Sequence, residues 1–197
     1  LYAGSLAQQR NVYRLVVQKA SPDFQLLATC KQLVQYADLQ SPAYPAGPTL
    51  RRGGTQSMVV QAYRRGGFNG PIAISVGGLP AGVTCPPVSI PAGEHQAAVV
   101  FTAAADASAW HGPITLVGTA LLGDLETRRE ALFSTTVWNK NSRVESIEAR
   151  VSPAMMLSVI DEEAAFRLVA TDGGPSEVAR AGKLDIRFTV PRRHDLK

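Results

Sequence analysis

Apolar and polar residues alternate with a period of two through most of the chain. Met58, Val60 and Ala62 alternate with Val59, Gln61 and Tyr63, and Ile72, Ile74 and Val76 with Ala73 and Ser75. Ala97, Val99 and Phe101 alternate with Ala98, Val100 and Thr102, and Ile114 and Leu116 with Thr115 and Val117. Successive side chains of a strand point to opposite faces, so each run predicts a strand with one face on a core. Turn formers separate the runs: Gly66–Gly67, Gly77–Gly78, Pro86–Pro87, Pro91–Ala92–Gly93 and His111–Gly112–Pro113. Short strands at this spacing predict an all-β sandwich. Strand-like runs continue at 131–138 and 142–152, and the best helix candidate is the stretch 30–39.

The pattern also repeats. Residues 50–68 align without a gap on 178–196, an offset of 128 that puts Arg52 on Arg180, Gly54 on Gly182 and Arg64–Arg65 on Arg192–Arg193. Met58, Val60 and Ala62 fall on Ile186, Phe188 and Val190. Residues 13–29 align on 155–171 at an offset of 142, with Leu15, Val17, Phe24, Leu26 and Ala28 on Leu157, Val159, Phe166, Leu168 and Ala170. The offsets differ by 14, so the first copy carries extra residues between Thr29 and Arg51 that read as a surface loop. The order of elements is a closing strand, an opening strand, a glycine turn and a body; the body is complete once, from about Pro22 to Leu121, and the second copy begins near Ala164 and stops before its body. Repetition of this kind predicts tandem modules. The expected division is 1–20 as the closing strand of a preceding module, 21–121 as an immunoglobulin-like sandwich, 122–163 as a β-rich connector and 164–197 as the start of a second module. If the repeat is structural, 182–190 should mirror the strand at 54–62.

Composition narrows the function. Net charge is +4 over 197 residues, but the basic residues are spread as four Arg pairs, Arg51–Arg52, Arg64–Arg65, Arg128–Arg129 and Arg192–Arg193. A nucleic-acid binder concentrates such charge on one face, so none is expected here. No apolar run reaches the ~20 residues that span a bilayer, and no signal peptide is present, so membrane insertion is not expected. The chain opens on Leu1 within the pattern and closes at Lys197 just past a strand-like run. Both ends are therefore expected to be cut from a longer protein.

The two cysteines, Cys30 and Cys85, are too few for an all-Cys zinc site and too far apart for a CxxC motif. In an oxidising compartment they could pair across 55 residues, contributing roughly 4 kcal/mol on the chain-entropy model, or they could stay as separate buried thiols.

The ordered motifs resemble a known family. Pro22–Asp23–Phe24, Arg52–Gly53–Gly54, the run Arg65 to Ile72 (RGGFNGPI), Gly78 to Val83 (GLPAGV), Ile90–Pro91–Ala92–Gly93, Thr102 to Ala107 (TAAADA) and Val117–Gly118–Thr119–Ala120 follow one another in order. This series resembles the immunoglobulin-like repeats found beside pre-peptidase C-terminal domains in large secreted proteins of planctomycete-type bacteria. The resemblance covers most of 13–120 and 155–197. It implies a β-sandwich, an extracellular or cell-envelope location and no catalytic residues. The insertion at 30–49 departs from the pattern and leaves Cys30 without a family role.

Candidate chemistry is sparse. His95, His111 and His194 lie in no HxxxH or HExxH spacing, and no GxSxG elbow is present. Asp161–Glu162–Glu163 offers too few oxygens alone for calcium, which takes six to eight, and reads as a solvated linker. Trp110 and Trp138, with Tyr13, Tyr36, Tyr44 and Tyr63, could give a sugar-stacking platform. Tyr63 and Trp110 are the candidate ligand contacts, weighed against ordinary packing. No catalytic, cofactor or metal residue is expected. The leading reading is a structural or interaction module of a secreted or cell-surface protein, spacing neighbouring domains or meeting a protein partner. A carbohydrate-binding module is the alternative and a hydrolase fragment the third. An unpaired sheet edge in the second copy would permit oligomers by strand pairing.

Overall fold

The computed structural model describes residues 21–30, 47–138, 148–171, 177–178 and 181–193. Every regular element among them is a strand. In chain order these are β1 (Asp23–Cys30), β2 (Thr49–Arg52), β3 (Thr55–Arg65), β4 (Ile72–Gly77), β5 (Val83–Thr84), β6 (Val88–Ile90) and β7 (Gln96–Ala103). They continue with β8 (Trp110–Leu122), β9 (Leu125–Glu130), β10 (Leu132–Trp138), β11 (Glu148–Ser152), β12 (Met155–Glu163), β13 (Val169–Ala170) and β14 (Phe188–Thr189). Of the helix expected at 30–39, Cys30 is the last residue of β1 and the rest lies outside the described residues.

One sheet has the order β11-β10-β1-β3-β7-β5. The other has the order β2-β12-β8-β4-β6, with β9 also paired to β8. The predicted alternation decides which face of each strand is buried. Met58, Val60 and Ala62 of β3 point inward, as do Val99 and Phe101 of β7, Ile72 and Ile74 of β4, and Ile114 and Leu116 of β8. Both sheets contribute to a single apolar core. Gly118 of β8 marks a close approach of the two: a Cβ there would lie 2.4 Å from Leu26 Cδ1 and 3.2 Å from Phe24 Cε2 on β1, in the opposite sheet.

The turns follow their residue types. Phe68 N–H donates to Arg65 C=O (3.0 Å) across Gly66 and Gly67, both with positive φ (57° and 82°). Gly66 is sterically required as well, since a Cβ there would sit 2.0 Å from Ser21 O. Val83 N–H donates to Pro80 C=O (3.1 Å) over Gly82, and Ala104 N–H to Gly82 C=O (2.7 Å). Gly53 N–H donates to Ala104 C=O (3.1 Å), so the end of β7 is pinned between two glycine turns.

The expected connector at 122–163 is corrected by the pairing. β9 folds back on β8, β10 runs parallel to β1 with Leu27 opposite Leu132, and β11 pairs with β10. β12 lies between β8 and β2, antiparallel to the first and parallel to the second. Ala131, Phe133, Met155, Leu157 and Val159 are buried in the common core. Removing this segment would uncover that core, so the folded unit runs from 21 to 163 rather than to 121. Within it β12 closes the second sheet, the part that the alignment of 155–163 with 13–21 assigns to a closing strand. The segment 1–20 lies outside the described residues.

The second copy begins at Ala164, directly after β12. A strand forms over Phe188–Thr189 rather than across 182–190. The register of its hairpin nevertheless reproduces that of the first copy. Phe166 pairs with Arg192, Val169 with Thr189 and Ala170 with Phe188. Their counterparts Phe24–Arg64, Leu27–Gln61 and Ala28–Val60 are partners between β1 and β3. Thr171 N–H donates to Arg187 C=O and Arg193 N–H to Ala165 C=O, where the first copy pairs Thr29 with Val59 and Asp23 with Arg65. The shortness of β14 has a physical cause. Thr55–Gln61 of β3 also pairs with β7, and among the described residues nothing lies in that place beside 183–189.

Candidate functional site: a groove on the outer face beside Tyr63

β3 carries Tyr63 on its outward phase, next to buried Ala62, and the ring is 53% exposed. It stands over a groove of about 580 Å³. Leu27, Leu132 and Val151 supply apolar lining, and Arg65 and His95 add polar groups. The inserted strands make the groove. The parallel β1–β10 ladder sets Leu132 opposite Leu27, and β11 adds Val151 beyond it. Leu132 and Val151 are exposed large apolar residues, which together with Tyr63 form an accessible apolar strip. Such a surface can hold the flat apolar face of a ligand, or an apolar side chain, beside a guanidinium and an imidazole. Among the described residues its lining contains no serine, cysteine or carboxylate.

Trp110 does not share this groove. It opens β8 in the other sheet, pairs with Val159 of β12 and packs partly buried against the core. Its ring lies over Gly112, where a Cβ would come within 2.3 Å of Trp110 Cζ2. The two candidate aromatics therefore sit on different sheets and form no joint platform. Tyr13, Tyr36 and Tyr44 lie outside the described residues.

The cysteines are two separate thiols. Cys30 ends β1 and Cys85 follows β5, with β3 and β7 between those strands. Three interstrand steps make about 14 Å, while a disulfide needs Cα atoms within about 7 Å. The possible Cys30–Cys85 disulfide is thus corrected: the sheet order forbids it. Burial pushes the Cys30 thiol up to about 11. Burial also raises Cys85, partly offset by a backbone hydrogen bond from Val100. Both shifts disfavour the reactive thiolate.

Two carboxylates of the acidic triplet are engaged by arginines. Arg52 pairs with Asp161 (3.2 Å), and Glu162 receives both Arg51 (3.1 Å) and Arg193 (3.6 Å). Arg51 and Arg52 belong to the first copy and Arg193 to the second, so Glu162 bridges the two copies while Asp161 pairs within the first. Among the described residues no group of three or more His, Cys, Asp and Glu is placed to hold a metal.

Two features were missed by motif spacing. His111 Nδ1 lies 2.8 Å from Ser158 Oγ across the β8–β12 ladder. The pair sits on an exposed sheet surface, and among the described residues no carboxylate bonds the imidazole to complete a triad. The other is Arg64, whose guanidinium donates to Glu94 C=O (3.1 Å), Pro91 C=O (2.9 Å) and Gly70 C=O. It also stacks on the Phe68 ring at 5.2 Å. It thereby ties the 65–70 turn to the 91–94 turn. The recurrence of Arg64–Arg65 at 192–193 was the available signal for it.

No protein-family model, curated protein or solved structure matches this chain. What the fold and site define is a class: an all-β protein of two sheets on one core, with an apolar groove on an outer face.

Proposed function

We propose that residues 21–163 form one immunoglobulin-like sandwich of a tandem series, serving as a non-catalytic spacing or interaction module in a larger secreted or cell-surface protein. The observation that carries this reading is the second hairpin. Its first backbone hydrogen bond, at Ala165, falls two residues after the closing strand β12, and its pairs follow the β1–β3 register. The strand order supports the immunoglobulin-like part. β1-β3-β7-β5 corresponds to strands A-B-E-D, and β4-β8-β12 to C-F-G, with β9–β11 inserted before the last strand. The inter-copy ion pairs of Glu162 suit a module whose orientation to its neighbour matters.

The test is an antibody raised to this chain and used on fractionated source cells. A band several times larger than 21.0 kDa in the envelope or medium is expected. A cytoplasmic band near that mass would overturn the reading. The exposed Tyr63 strip favours a second reading, a carbohydrate-binding module. A glycan that binds the chain and is lost on Tyr63→Ala, but kept on Trp110→Ala, would establish it.

A further inference from the structure

Among the described residues nothing covers the apolar residues of the second hairpin. Phe166 is 59% exposed and Phe188 55%, whereas their counterparts Phe24 and Val60 are fully buried. Leu168, Ile186, Val190 and Val178 are likewise exposed, while Leu26, Met58, Ala62 and Leu50 belong to the core. The backbone register is the same in both copies, so the alternation puts the same positions on the same face. An apolar patch of this size needs an explanation, and single scattered residues do not supply it. The structure itself shows what covers such a face. In the first copy β7 pairs along the far edge of β3, and β4, β8 and β12 lay Ile72, Ile74, Ile114, Leu116 and Leu157 into the core that β1 and β3 share.

We propose that the face formed by Phe166, Leu168, Ile186, Phe188 and Val190 is the docking half of a second sandwich. Its occupant is a run of strands with the pattern of 68–163, joined downstream of the hairpin as β4 to β12 are joined to β3. A second copy of this chain does not fit the role, because its one set of such strands is already closed on its own β1 and β3. The paired backbone on one edge and the apolar side chains on one face match an antiparallel strand like Gln96–Ala103, apolar at every second position. The inference rests on the tandem reading above and names what the second copy binds.

The experiment compares the chain with a longer one in which a duplicate of residues 70–163 follows Lys197, so that Lys197 takes the place of Asn69. In the longer chain the amides of Val169, Ala170, Phe188 and Thr189 should gain at least about 100-fold protection from hydrogen exchange. Binding of a dye specific for exposed apolar surface should fall. Adding Phe166→Asp and Phe188→Asp to the longer chain should abolish both changes while β3 and β7 of the first copy stay protected. Unchanged hairpin exchange in the longer chain, or a gain that survives the double substitution, overturns the proposal. So does self-association of the original chain that Phe188→Asp removes, since a second copy would then be the occupant. A small cytoplasmic parent protein would defeat the tandem reading, yet leave the exchange result on the longer chain to stand or fall separately.

Discussion

The two opening hairpins of this chain are a natural controlled comparison. β1 with β3 and β13 with β14 share register, alternation and a paired-arginine end, yet one is the centre of a core and the other is bare. In the first, Phe24 touches Phe68 with ring centroids 5.6 Å apart and is fully buried. In the second, Phe166 faces solvent. Local pairing is therefore encoded within each hairpin. Strand length and burial come from the strands that follow, since β3 runs eleven residues where β14 runs two.

Substitutions at matched positions sharpen this contrast. Phe24→Ala should destabilise residues 21–163 by about 3–5 kcal/mol in denaturant unfolding, and Phe166→Ala by no more than about 0.5 kcal/mol. Equal effects would break the comparison. Arg64→Ala should follow, at about 1.5–3 kcal/mol, because three carbonyls lose a charged donor and Phe68 its cation. Arg64→Lys should restore little of this, since one ammonium cannot reproduce the planar fork. Gly66→Ala should cost about 1–3 kcal/mol through its positive φ and its approach to Ser21, read by the same unfolding curve.

The thiols give a pH test. Cys30 has its native pKa raised from 9.0 to about 11, so the unfolded chain loses this proton first as pH rises. Stability from this group is intact below pH 9 and falls between there and about pH 11. Cys30→Ser should flatten that part of the profile. In the native protein at neutral pH both thiols should alkylate slowly, and unfolding under non-reducing conditions should release two free thiols. A small effect is expected at Asp23–Arg129, an exposed pair at 3.0 Å. Asp23→Asn should change stability by no more than about 1 kcal/mol, and less at high salt.

Much of the first copy was legible. Alternation located β3, β4, β7 and the middle of β8 and named their buried residues, because period-two burial is a local property. The order of glycine turns was legible for the same reason. The connector was misread because nothing local in 132–138 says that it runs parallel to β1, and nothing in 155–163 says that it sits between β8 and β2. Those pairings join residues from about forty to about a hundred and ten apart in the chain. The groove beside Tyr63 was only half legible: the outward phase of β3 was readable, but its walls come from β10 and β11. Trp110 looked equivalent to Tyr63 by residue type and lies on the other sheet.

The sequence by itself determined the all-β class and the two-faced alternation of β3, β4, β7 and the middle of β8, and it aligned two stretches of the chain at offsets that the second hairpin's register obeys. These follow from backbone geometry and side-chain period, which act over a few residues. Tertiary structure alone decided the extent of the folded unit, the separation of Cys30 from Cys85 by two strands, the arginine capture of Asp161 and Glu162, and the contrast between a buried Phe24 and an exposed Phe166. Each depends on which distant strand lies alongside, and that is settled by filling a common core rather than by any short pattern in the chain.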